Sequence, residues 1–322
     1  MSWKREGLAL KADGQFEWMN SHTGPIAGCK LGSHYRIFFG TRSKKDAKGN
    51  YTSRINYADF DVKSPAKLLQ LGASVLLPLG RVGTFDEFGQ MPADVVQVHP
   101  DLFRLYYMGW QRSINAPYII NIGVAESKDG TRFDKISEGP VFGVNRFNPL
   151  GVGNLSVSKQ GTGWRMWYTC FNDWRLQGEQ YAPTYDIRTC FSDDGLIWTE
   201  SGTVCVAPGN EEALATPRVI KLGPYYLMWF SYRQATDFRS GNKGYQTGFA
   251  YSHDGIQWSR NDSMFGLKGS GSGWDSGMAC YPVVFIDEEE KKLIMYYCGD
   301  GFGEGGLGVA SIEISEVLAA LE

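Results

Sequence analysis

Five short aromatic strands recur along this chain at a nearly constant interval, and no other feature restricts its fold as much. They read YRIFFGTR, FRLYYMGW, WRMWYTCF, YYLMWFSY and LIMYYCGD, centred near Phe38, Tyr106, Trp167, Trp229 and Tyr296. The gaps between centres are 68, 61, 62 and 67 residues. Each follows an apolar, alternating strand, clearest in MPADVVQVH, GNLSVSK, TPRVIKLG and CYPVVFID. Each precedes a third strand: SRINYADFD, IINIGVAES, DIRTCFS, YQTGFAYS and GLGVASIEI. A second repeat, Ser-x-Asp-Gly followed by an aromatic, appears in ESKDGTRF, FSDDGLIW and YSHDGIQW. Its Asp-Gly pairs (Asp129-Gly130, Asp194-Gly195, Asp254-Gly255) read as tight hairpin turns. Phe133, Trp198 and Trp258 then start the next strand.

The unit is therefore three or four antiparallel strands, used five times. One such sheet cannot bury both its faces, so the units must stack on one another. Radial stacking protects the strand edges, whereas a linear stack needs polar caps that the chain lacks. The expected fold is all-β, a five-bladed β-propeller of four-stranded antiparallel blades forming one domain over 1–322. GLALKAD is expected to complete the last blade, and only the tail SEVLAALE reads as helix.

Composition narrows the function. A net charge of -3 does not suit a nucleic-acid binder, which needs a basic face. No apolar run approaches about 18 residues, so no membrane span is expected. The opening stretch MSWKREGLALKADG lacks an apolar signal segment, and the expected location is cytoplasmic. The six cysteines are scattered without a CxxC pair, which points to buried thiols and away from zinc. No cofactor is expected.

In a propeller, the residues entering each blade's first strand gather at one mouth of the central channel. The segments concerned are EWMNSHTG, TFDEFGQMP, NRFNPLGVGN, NEEALATPR and GWDSGMACYP. They are rich in carboxylates, amides and aromatics, the mixture that glycoside chemistry uses: two carboxyl groups flank the bond, rings stack on the sugar and amides hold hydroxyls. Each candidate also has a plain structural role open to it. Asp86 and Glu87 suit an Asx turn, Asp275 lies in a glycine-rich loop, and a lone His22 is commonly structural. Arg218 and Arg233 either bind an anionic group of a ligand or brace site carboxylates. Asp129, Asp194 and Asp254 are assigned to turns.

The blade period, the S-x-D-G-x-x-W turns and the MWY-type strands resemble the five-bladed propellers of glycoside hydrolase families 32, 43, 68 and 130. FDEFG, EEALATPRVIKLGPYYLMWFSYR, GWDSGMACYP and YYCGDGFGEGGLGVA are similar to uncharacterised glycosidase-like proteins of bacterial sugar and polysaccharide biosynthesis clusters. The resemblance implies Glu212 as general acid. It also matches Asp86 to an acidic turn of blade two. It departs at WMNSHTG, where Ser21 stands in place of the nucleophilic Asp of invertases, and at Arg146-Phe147-Asn148-Pro149, which lacks the acid of an R-D-P signature. The expected catalytic set is Glu212, Asp275, His22 and Asp86. The expected substrate-binding set is Trp18, Asn20, Glu87, Trp110, Asn154, Arg218, Arg233 and Tyr281. The expected ligand is a small carbohydrate or sugar nucleotide, bound by a glycosidase-like enzyme. A non-catalytic carbohydrate-binding propeller, or a transferase or cyclase using the same pocket, is the alternative.

Overall fold

A computed structural model describes residues 2–239 and 243–322. Four of its antiparallel meanders follow one another along the chain. The first comprises β2 (Ile26–Leu31), β3 (His34–Arg42), β4 (Ser53–Asp61) and β5 (Leu68–Leu71). The second comprises β6 (Gly89–His99), β7 (Leu102–Gln111), β8 (Ile119–Ser127) and β9 (Asp134–Lys135). The third runs β10 (Val152–Gln160), β11 (Gly163–Gln177), β12 (Gln180–Ser192) and β13 (Thr203–Val206). The fourth runs β14 (Glu212–Leu222), β15 (Tyr225–Gln234), β16 (Gln246–Ser252) and β17 (Ser259–Arg260). The last sheet combines β18 (Cys280–Asp287), β19 (Lys292–Cys298) and β20 (Leu307–Glu313) with β1 (Lys4–Leu10), which pairs antiparallel to β20. The two ends of the chain thus meet in one sheet. The tail forms a helix, Ile314–Leu321, whose Val317 is fully buried. No helix among the described residues is long and apolar enough to cross a membrane.

The first strands of these units lie against one another in the cyclic order β2, β6, β10, β14, β18 and back to β2. One detail departs from five separate sheets. A single parallel bridge, Ser53 to Gly89, joins the first two units edge to edge. The faces between units hold the core. Phe38 and Tyr57 meet Leu105, Tyr107 and Phe133 between units one and two. Trp167 and Ile187 meet Leu214, Met228 and Phe230 between units three and four. Trp167 and Trp229 are wholly buried, and each large side chain so buried stabilises by roughly 1.5–3 kcal/mol. This is why the aromatic strand recurs: it is the second strand of each unit, covered on both faces.

The Ser-x-Asp-Gly repeat has a second use. In each copy the serine Oγ accepts from the backbone N–H of the following Asp and Gly. The Asp Oδ1 accepts from two further N–H groups, those of Thr131 and Arg132 in the first copy. These backbone donors hold the carboxyls of Asp129, Asp194 and Asp254 below their ordinary range. The glycines take φ of 69°, 73° and 71°, a region open to them without cost. The result is a compact turn built on side-chain-to-backbone hydrogen bonds. Its carbonyls face the preceding unit. Arg36 donates to Gly130 O, Arg104 to Asp194 O, and Arg165 to Gly255 O. Each arginine sits at the same place in its aromatic strand, so the repeat latches every such unit to the one before it.

At the axis, Arg218 of β14 is 4% exposed. Its guanidinium donates to Leu155 O of β10 at 2.7 Å, Ile26 O of β2 at 2.6 Å, and Ala93 O of β6. It also lies 3.2 Å from Asp94 Oδ1. Burial pulls the Arg218 pKa down and pushes the Asp94 carboxyl up, each opposed by its partner's charge. One side chain therefore ties four of the five axial strands together. Arg218→Ala should cost about 3–5 kcal/mol in urea unfolding, because Asp94 is left as an unpaired buried charge. A loss below 1 kcal/mol would show that the axis holds without this pair.

Candidate functional site

The ends at which β6, β10, β14 and β18 begin gather at one face, and four of the axial strands bulge as they enter. The register shifts fall at Pro92/Asp94, Val152/Leu155, Ala215/Arg218 and Cys280/Val283. Thr216 and Tyr281 take positive φ, 57° and 55°, at two of these bulges, and His22 takes 67° before β2. Such angles are rare for side chains with a Cβ and mark positions fixed by their surroundings. A hydroxyl on the neighbouring unit fixes two of them. Thr216 N donates to Thr169 Oγ1 at 3.0 Å, and Tyr281 N donates to Ser231 Oγ at 2.9 Å.

Around this mouth the units contribute a connected arc of aromatic rings. Trp110 meets Tyr118 at 6.5 Å between ring centres, and Tyr118 meets Trp174 edge-on at 5.1 Å. Phe171 meets Tyr185 at 4.8 Å. Tyr245 meets Tyr281 at 5.6 Å and Phe302 at 5.9 Å. The first unit adds Tyr51, with the Arg42 guanidinium 5.4 Å from its ring centre. Trp110, Tyr118, Trp174, Tyr281 and Phe302 are each only partly buried. Burial raises the pKa of Tyr118, Tyr245 and Tyr281, so their phenols remain neutral hydrogen-bonding groups at neutral pH. Asn154 donates to Pro92 O while its Oδ1 has no partner, and Trp110 Nε1 is likewise unpaired.

Arg233 joins the third and fourth units. It is 1% exposed and lies 3.6 Å from the Phe238 ring centre and 5.1 Å from that of Tyr185. Its guanidinium donates to Pro183 O at 2.6 Å, Gln234 O at 2.9 Å and Tyr185 Oη at 3.2 Å. The long β11–β12 hairpin supplies Trp174, Pro183 and Tyr185. Gln177 on that hairpin donates to Ala235 O and holds it over the fourth unit.

The acids chosen from sequence stand at the entries of the axial strands, with their carboxyls paired to the outer strands of their own units. Asp86 Oδ2 is 2.6 Å from Lys135 Nζ and accepts from Gln90 and Tyr107. Asp275 Oδ2 accepts from Arg5 Nε at 2.9 Å and from the Tyr297 hydroxyl at 2.8 Å. Glu212 Oε2 accepts from Arg260 at 2.7 Å and from Gly209 N at 2.8 Å. Lys135, Arg5 and Arg260 each lie on the outermost strand of their unit, so all three acids are clasps between first and last strands. Glu87 accepts from Gly83 N and shapes a loop. Trp18 lies flat on Phe16 at 4.9 Å, and the Asn20 backbone N–H donates to Arg42 O. Arg218 is the axial tie and braces Asp94, not a site acid. Of the expected set, the mouth collects His22, Trp110, Asn154, Arg233 and Tyr281. It adds Arg42, Tyr51, Tyr118, Trp174, Tyr185 and Tyr245, which the sequence reading missed.

His22 is buried against Arg42, with Nδ1 2.8 Å from Ser21 Oγ. Desolvation, aided by the Arg42 charge, lowers its pKa to about 3. It is therefore a neutral imidazole at physiological pH.

The fold is that of the propeller glycoside hydrolases. A glycosyl hydrolase from Bacteroides ovatus superposes with a TM-score of 0.72 at 15% identity, covering 97% of this chain and 94% of that one. A structure from work on mannoside phosphorylases, and on hydrolases of β-1,2-mannosidic linkages in Candida mannan, gives 0.71 at 14%, covering 97% and 94%. A thermostable family-43 glycoside hydrolase gives 0.66 at 17%, covering 90% and 89%. At these identities the likeness is one of fold. No protein-family model matches the chain. By sequence it belongs to the family of the uncharacterised Mycobacterium tuberculosis protein Rv1502, with 30% identity over 316 residues, 97% of this chain and all of that protein.

Two outcomes follow from this geometry. The unfolded chain protonates His22 below about pH 6.5, whereas the folded chain does so only near pH 3. The stability from this ring is complete above pH 6.5 and is lost as pH falls toward 3, at up to about 1.4 kcal/mol per pH unit. His22→Asn should flatten that slope in unfolding curves taken between pH 4 and 6.5 (about two units inside the window); an unchanged slope would place the titration elsewhere. Glu212→Gln should lower stability by about 1.5–3 kcal/mol, the usual worth of hydrogen bonds to charged groups. A variant as stable as the parent would show that the Arg260 clasp contributes nothing.

Proposed function

We propose that this protein is a five-bladed propeller that recognises a carbohydrate at the aromatic mouth, in the manner of a glycosidase-like protein. The observation that carries this is the arc of partly exposed rings contributed by successive units around a buried arginine. Sugar rings present apolar C–H faces that stack on such rings, and their hydroxyls take up amide, phenol and arginine partners. Asn154 Oδ1 and Trp110 Nε1 are buried polar atoms left without a hydrogen-bond partner beside the arc. Recognition is favoured over cleavage by the surroundings of the acids. Hydrolysis needs two carboxyl groups about 5–9.5 Å apart across the sugar, and Asp86, Glu212 and Asp275 are each engaged inside their own sheets. A neutral, buried His22 beside Arg42 is suited to accepting a hydroxyl proton in a hydrogen bond.

The test is sugar binding followed by tryptophan fluorescence across neutral mono- and disaccharides. Trp174→Ala should weaken the best ligand by about tenfold, equivalent to about 1.4 kcal/mol, with the thermal transition retained. Binding unchanged in this variant would move the site away from the mouth. Release of reducing sugar by the parent, abolished in a stably folded Glu212→Gln, would establish cleavage and overturn the recognition reading.

A further inference from the structure

A cavity of about 580 Å³ opens between the fourth and fifth units, directly beside Arg233. Its walls carry Arg233, Lys243 and Lys268, together with Gln246, Ser276 and the glycines of the segment before β18. Among the described residues, no carboxylate is part of its lining. We propose that this cavity binds the oxyanion of a charged sugar, a phosphate or a carboxylate, whose ring occupies the neighbouring aromatic mouth. The inference rests on the carbohydrate reading of the mouth and names the ligand class.

Three observations support it. First, Arg233 has no carboxylate partner among the described residues. Its bonds go to carbonyls and one phenol, and its Nε has no partner at all. A buried cation without a counter-charge is costly, and an anion seated next to it offsets that cost. Second, Lys268 forms no ion pair among the described residues, and Lys243 has one exposed contact, 3.1 Å from Asp237 Oδ2. Exposed pairs of that kind are worth little, so Lys243 can turn to a ligand at small cost. Third, the walls are held in place without a ligand. Gln246 accepts from Gly269 N and donates to Gly277 O, both at 2.7 Å, and so staples the two sides of the glycine-rich segment. Asp300 accepts from the N–H groups of Ser276, Gly277 and Met278 and fixes the rim. The volume suits a small organic ligand and not a lone ion.

The experiment is titration calorimetry of the full chain with glucose, glucose 1-phosphate, glucuronate and inorganic phosphate, in the parent and in Lys243→Gln/Lys268→Gln. Both lysines are exposed, so the double variant is expected to fold; a thermal melt checks this. The expected result is that one charged sugar binds at least about tenfold tighter than glucose. That advantage should shrink as salt rises and be lost in the double variant, while glucose binding is unchanged. Preference for glucose 1-phosphate names a phosphate ligand, and preference for glucuronate names a carboxylate. Equal affinity for charged and neutral sugars, or an advantage that survives in the double variant, overturns the proposal. If glucose binds through Trp174 but charge confers nothing, the mouth stands and only the anion cavity falls. Lysine-dependent binding of inorganic phosphate without any sugar binding would do the reverse. Absence of binding by all four probes overturns both.

Discussion

One guanidinium holds the centre of this molecule. Arg218 reaches from β14 to the backbones of β2, β6 and β10 and pairs with Asp94. Side chains that cross an axis usually pack apolar against apolar. Here the two terminal nitrogens of one guanidinium donate to carbonyls of three other strands, while its Nε has no partner among the described residues. The arrangement is cooperative, because the carbonyls need the donor, the charge needs Asp94, and both need the ring of strands to be complete. A second, smaller cavity, lined by Gly28, Asp94, Ser156 and Val283, lies beside the same arginine.

The repeats that fix the fold also bear on how the entering acids are held. From sequence, Asp86, Glu212 and Asp275 stand where chains enter the axis, and that position was right. What a linear reading cannot give is the direction of the side chain. Each entering acid is drawn to a cation on the outermost strand of the same sheet, Lys135, Arg260 or Arg5, between 48 and 270 residues away in the chain. The third unit shows the same position without an acid: Asn148 accepts from the Tyr168 hydroxyl. A feature recurring in successive units is more readily a property of the repeat than of a unique site, and that criterion was available in the sequence.

The architecture was legible because it rests on periodicity. The strand SRINYADFD is β4 residue for residue, IINIGVAES is β8, and the amino-terminal segment completes the last sheet. The proposed mouth is legible in sequence only in part. Trp110, Arg233 and Tyr281 lie in or near the entering segments and the aromatic strands. Tyr51, Tyr118, Tyr185 and Tyr245 lie outside the first strand of each unit. They share a signal nonetheless: each stands at or near the start of a third strand, in GNYTSR, APYIIN, PTYDIR and KGYQTG. Four tyrosines at one structural position, with Phe302 before β20, make the rim aromatic by repetition. Trp174 is different. It belongs to the extension of the β11–β12 hairpin, visible in sequence only as the extra length NDWRLQGEQYAP.

Where the units are alike, the molecule is a scaffold; where they differ, it can have a function. The clasps, the latches and the axial strands recur. The departures from repetition cluster between the third and fifth units: the elongated hairpin, Arg233 without a counter-charge, the lysines at 243 and 268, and the glycine-rich segment held by Gln246 and Asp300. Arg233 is held by carbonyls and by the faces of Phe238, Tyr185 and Tyr245 and not by a carboxylate among the described residues, and a glycine-rich rim costs chain entropy on folding. That asymmetry, more than the likeness of fold, is what supports the proposed binding surface on this side of the mouth.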